Sequence, residues 1–91
     1  MTIEVTLSAE PQLRSALRSL RRIDAATAER FVRDLSSLLA KRASIDKAAT
    51  PIAGFPELPA KEIGLHGYRL FFRESGGTLW LSGVWPTPDD G

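Results

Sequence analysis

Two stretches decide how this chain folds: His66-Gly67-Tyr68-Arg69-Leu70-Phe71-Phe72-Arg73-Glu74 and Thr78-Leu79-Trp80-Leu81-Ser82-Gly83-Val84-Trp85, separated by Ser75-Gly76-Gly77. Both are rich in aromatic and β-branched residues and are bounded by turn residues, which predicts an antiparallel hairpin. Glu62-Ile63-Gly64-Leu65 predicts a strand before it, joined through a tight His66-Gly67 turn in which Gly67 takes positive φ. Pro86 and Pro88 end the last strand. Strand alternation puts Tyr68, Leu70 and Phe72 on one face and Arg69, Phe71 and Arg73 on the other. The apolar set is expected to pack on helices, and the arginine set to face solvent or a partner. Simple alternation gives Trp80 and Trp85 opposite parity, so at most one of them faces the helices.

The upstream half has a different grammar. Thr2-Ile3-Glu4-Val5-Thr6-Leu7 alternates as a half-buried strand with Ile3, Val5 and Leu7 inward. Ser8 is the expected N-cap of a first helix, followed by Glu10 and Pro11 in its first turn. Leu13, Ala16, Leu17, Leu20 and Ile23 then recur at helical spacing. Asp24 is the expected cap of a second helix carrying Ala28, Phe31, Val32, Leu35, Leu38 and Leu39, with Lys41 and Arg42 at its C-terminus. With almost no linker, the two form an antiparallel helical hairpin. Residues 43–59 contain Pro51, Gly54, Pro56 and Pro59 and read as a long connector, pinned to the core by Ile45, Ile52 and Phe55. The expected fold is therefore α+β over one domain, residues 1–91. A strand, a helical hairpin and a three-stranded meander make a sheet of about four strands with helices on one face.

Composition narrows the chemistry. The 91 residues are 43% hydrophobic and 25% charged, as in an ordinary globular domain. With no cysteine and one histidine, disulfides, thiolate catalysis and cysteine-ligated zinc are excluded, and so is a multi-histidine metal site unless a second chain supplies ligands. There is no P-loop, dinucleotide fingerprint or serine-nucleophile motif, so no cofactor is expected. No apolar run is long enough to span a membrane, and the first residues do not read as a secretory signal, so the cytoplasm is the expected location. Net charge is only +1, but residues 1–47 carry nine basic against six acidic side chains, and the excess sits in the helical half.

The Gly67-Tyr68-Arg69 strand, its apolar-aromatic continuation, the glycine turn and the strand ending near Gly83-Val84 resemble the central hairpin of the RelE/ParE toxin superfamily. The upstream order of strand and helical hairpin is similar too. The resemblance implies a toxin of a bacterial type II toxin–antitoxin pair, neutralised by a cognate protein antitoxin. It also implies one of two targets: DNA gyrase for ParE-like members, or mRNA in the ribosome for RelE-like members. A RelE-like endoribonuclease would use Arg69, Arg73 and Lys61, with Arg69 at the scissile phosphate. Glu62 and Gly64 stand where such nucleases carry further basic groups, and the chain ends Pro86-Thr87-Pro88-Asp89-Asp90-Gly91 without a basic tail. The ParE-like, non-nuclease mode is therefore the expected one. A non-toxic interaction module retaining the fold is the third reading.

Candidate partner-binding residues are Arg14, Arg18, Phe71, Trp80 and Trp85. Arg14, Arg18, Arg21 and Arg22 form a basic stripe on the first helix, either a solvated face or a dock for an acidic partner. Arg69 and Arg73 bind phosphate or a partner carboxylate, or are simply solvated. Phe71 stacks on a partner or is covered by the 43–59 segment. A tryptophan outside the core is an interface candidate. Asp89 and Asp90 lack a third ligand and read as a solubilising end.

Overall fold

The computed structural model describes residues 2–52, 57, 58 and 60–87. Element order is β1 (Thr2–Val5), α1 (Ala9–Ile23), α2 (Ala25–Ala40), α3 (Arg42–Ala48), β2 (Thr50–Pro51), β3 (Ala60–Leu65), β4 (Tyr68–Ser75) and β5 (Thr78–Pro86). The fold is α+β. One sheet runs β1-β5-β4-β3-β2. The meander is antiparallel, whereas β1 runs parallel to β5, with Ile3 beside Leu79 and Val5 beside Leu81.

The helices cover one face. Phe31, Leu35 and Leu20 from the hairpin meet Leu70, Phe72, Leu81 and Val84 from the sheet in a single buried cluster. Phe31 is fully enclosed and meets Tyr68 edge-on, with ring centroids 5.9 Å apart. Both hairpin turns have two residues at positive φ, His66-Gly67 and Gly76-Gly77, the geometry that suits a right-twisted two-residue connection.

Capping follows chemistry at one helix and departs from expectation at the other. The Asp24 carboxylate accepts the Ala26 N–H at 3.1 Å and the Thr27 hydroxyl at 3.0 Å, as an N-cap should. Ser8 makes no capping bond and is already helical in φ and ψ. The strand stops at Val5, and the Thr6 hydroxyl accepts the Ala9 N–H instead, at 3.1 Å. The helix begins at Ala9 as the Ser8 reading has it, but the capping hydroxyl comes from two residues before Ser8. Leu7 then lies between strand and helix, 89% exposed, rather than facing the core as strand alternation predicts.

Four other expectations are corrected. Ile23 ends α1 beyond the packed region and is 81% exposed, and Val32 also faces outward. Lys41 separates α2 from α3, and Arg42 opens the latter instead of closing the former. The 43–59 segment is not a bare connector: it contains most of α3 and all of β2, the fifth strand of the sheet. Ile45 does pin this segment, buried on α3. Gly54, Phe55, Pro56, Pro59, Pro88, Asp89, Asp90 and Gly91 lie outside the described residues.

Trp80 and Trp85 share the outer face of the sheet. In β4 and β5, Phe71 pairs with Gly83 but the next residue, Phe72, pairs with Leu81, so Ser82 is an extra residue in β5. This bulge reverses the alternation. Leu79 and Leu81 are buried before it and Val84 after it, and neither tryptophan enters the core.

Candidate functional site

The face opposite the helices is built row by row from the strand register. Arg69 of β4 lies between Trp85 and Gly64, Phe71 between Gly83 and Glu62, and Arg73 between Trp80 and Ala60. Glu4 of β1 extends the last row beyond Trp80. The sheet therefore brings together five sequence-predicted residues: Arg69, Phe71, Arg73, Trp80 and Trp85. Side chains alternate across a strand and cross-strand partners share a face, so the register alone places them there.

Glycine at position 83 makes room for the aromatic pair. A Cβ there would sit 3.3 Å from Phe71 Cδ2 and 3.3 Å from the Trp85 indole nitrogen. Both rings thus lean over bare backbone. Trp85 remains 55% exposed, and Phe71 is half-buried.

The two arginines differ in their electrostatics. Arg69 Nη1 lies 3.9 Å from the Glu62 carboxylate, whose side chain is only 16% exposed. Its charge is partly answered within the sheet. Arg73 has no carboxylate partner among the described residues. It borders a shallow groove of about 680 Å³ with Trp80, Leu7, Thr6, Ser8, Ser75 and Ser82. That groove combines a cation, an indole face, an exposed leucine and four hydroxyls, which suits a polar partner carrying an apolar anchor.

Lys61 is not part of this constellation. It pairs with Phe72, which faces the helices, and it lines a small hollow on that side with Arg42, Ile45, Asp46 and Glu74. Arg42 is ion-paired there with both Asp46 and Glu74, and these carboxylates hold its guanidinium pKa above the usual value. His66 is also turned away. Its Nε2 lies 2.6 Å from Asp34 Oδ2 on α2, and its ring lies beside Phe31. The outer face thus offers charge stabilisation but holds no imidazole for proton transfer.

Arg14 and Arg18 lie elsewhere again, with Arg21, Arg22 and Leu17 around a depression of about 450 Å³ on the exposed side of α1. Of these four, Arg14 pairs with Glu10 at 2.5 Å.

Sequence reasoning passed over Glu62, Gly83 and Leu7 as parts of a site. Gly83 carried a signal, since a glycine inside an aromatic strand points to a bulge or a close approach. Leu7 carried none, because the strand pattern assigned it to the core. No helix among the described residues is long and apolar enough to cross a membrane, and no cluster of metal-binding side chains occurs among them.

No family model and no curated protein matches the sequence. Among solved structures, the chain is similar to one from the "Chromosomal ParDE TA system from P. aeruginosa", with a TM-score of 0.69 and 15% identity. The match covers 97% of each chain. At that identity the likeness is one of fold, and it extends from end to end.

Proposed function

We propose that this protein is the toxin of a bacterial type II toxin–antitoxin pair, held silent in the cytoplasm by a cognate antitoxin, and that it acts on DNA gyrase through protein contacts. The observation that carries the reading is the open sheet face. On it Arg73, with no carboxylate partner among the described residues, stands beside Trp80 and an open groove, while Lys61 and His66 lie on the other side. A phosphodiesterase needs an acid and a base close to its cations, and near Arg69 and Arg73 the register places only the carboxylates of Glu62 and Glu4 among the described residues. A surface that grips a protein needs aromatic anchors and charges able to meet a partner. The full-length likeness to a chain of a ParDE system supports the toxin part of the reading.

The test is tightly controlled induction in a bacterial host, with gyrase supercoiling and message integrity followed together. Wild type is expected to arrest growth and impair supercoiling while mRNA stays whole. Arg73→Ala and Trp80→Ala are expected to relieve the arrest without loss of folded protein. Message cut within codons would overturn the gyrase reading in favour of a RelE-like nuclease. Harmless expression of folded wild type would overturn the toxin reading and leave an interaction module.

A further inference from the structure

We propose that the outer face of the sheet is an interface between two copies of this chain, packed face to face about a two-fold axis that runs along β5. This inference does not rest on the toxin reading.

One row of side chains carries it. Arg73 on β4 pairs with Trp80 on β5, and Trp80 pairs with Glu4 on β1. Ile3 and Val5, the neighbours of Glu4, pack against the core, so Glu4 points to the outer face with Arg73 and Trp80. A cation and a carboxylate thus stand one strand to either side of an indole, ~10 Å apart along the sheet. Both are exposed, and neither has an oppositely charged partner among the described residues.

That order of charges selects the occupant. An acidic polypeptide or a nucleic acid that met Arg73 would set further negative charge against Glu4, and a basic partner would meet the reverse conflict. The row calls for a partner with a carboxylate, an aromatic ring and a cation in the opposite order at the same spacing. The same row in a second copy, turned about β5, is that partner. In a two-fold interface each contact occurs twice. Arg73 of each copy lies over Glu4 of the other, with Trp80 over Trp80 between them. An axis running across the strands would instead set Arg73 over Arg73.

The apolar surface obeys the same operation. Trp85 is also on β5 and 55% exposed, so it too meets its own copy. β4 and β1 exchange places across the axis, which brings Phe71 of one copy toward the Leu7 end of β1 in the other. Leu7 is 89% exposed and borders the groove shared by Arg73 and Trp80. Facing sheets pack ~10 Å apart with their strands nearly aligned, a gap that arginine and glutamate side chains span together. The face is three strands wide, and its two longer strands have eight and nine residues. That is the lower end of interface sizes, so the dimer is weak and forms in the micromolar range.

The experiment is sedimentation velocity of the purified full chain across that concentration range. Wild type is expected to pass from monomer to dimer. Glu4→Arg and Arg73→Glu each set like charges face to face twice, and each is expected to weaken association by about tenfold or more. Mixed in equal amounts, these two variants are expected to associate again, since one then presents two cations and the other two carboxylates. The double variant Glu4→Arg/Arg73→Glu restores the reversed row within one chain and is expected to dimerise like wild type. Arg18→Glu changes charge on α1, away from the face, and is expected to leave association unchanged. Circular dichroism verifies that each variant folds. Three results would overturn the proposal: a wild type that stays monomeric throughout, equal weakening by Arg18→Glu, or no recovery in either the mixture or the double variant. The first result, combined with relief of growth arrest by Arg73→Glu, would give the face to another protein.

Discussion

The side-chain oxygen of Gln12 accepts the backbone N–H of Val84 at 2.8 Å. This bond joins α1 to β5 just past the bulge, where β1 has ended: its pairing stops at Leu81 and its last bond runs from the Thr6 N–H to the Leu81 carbonyl. Without Gln12 the Val84 N–H would be a partly buried donor on the edge of β5 that β1 no longer covers.

Gln12→Ala is accordingly expected to cost about 1–3 kcal/mol, the penalty for stranding a polar group away from water. The urea midpoint should fall with the m-value unchanged. Gln12→Glu keeps an acceptor oxygen and should recover much of the loss at neutral pH.

Asp24 gives a pH signature. Its hydrogen bonds from the Thr27 hydroxyl and the Ala26 N–H hold its carboxyl below the usual value of 3.8. A carboxyl depressed by folding stabilises the fold above its unfolded pKa. That contribution is lost as pH falls through the lower, folded value. Asp24→Asn retains a capping side chain but does not titrate. Below about pH 4, wild type should therefore lose stability more steeply than the variant, and acid titration followed by circular dichroism reads the difference.

Leu35 faces the shared core of helices and sheet and is 7% exposed. Leu35→Ala should cost about 2–5 kcal/mol, through lost burial and a cavity that closes only in part. An unchanged denaturation midpoint would contradict the packing of α2 on the sheet.

Gly83→Ala tests the outer face with little disturbance of the core. The new methyl presses on Phe71 and Trp85, and the exposed indole is free to swing away. Stability should change by under about 1 kcal/mol. The emission of Trp85 should shift, and growth arrest should weaken if this face grips the target.

The sequence made most of the framework legible. Glycine turns, aromatic strands and two amphipathic periods carry local signals, and each produced its element. What escaped depended on partners distant in the chain. Nothing local says that Ser82 would be the extra residue that puts Trp80 and Trp85 on one face. The period of α1 runs on to Ile23, but the core it would bury against ends sooner. Lys61 lies eight residues before Arg69, and only the pairing with Phe72 reveals that it faces the other way. The turn at His66 was legible, while its bond to Asp34 required knowing where α2 would lie.

The parallel pairing of β1 with β5 constrains the order of assembly. Residues 2–5 find their hydrogen-bonding partners in residues 78–81, nearly a chain length away. During synthesis the helices can form as they emerge, because their bonds are local. The first strand has no neighbour until β5 is made, and must wait, unpaired, for the last. Such distant contacts slow folding, since the entropy of closing the loop is lost before the contact rewards it. A nascent chain stalled before Thr78 would lack Trp80 and Trp85 as well as the strand that pairs beside Arg73. In this topology the outer face of the sheet is completed only when the final strand arrives.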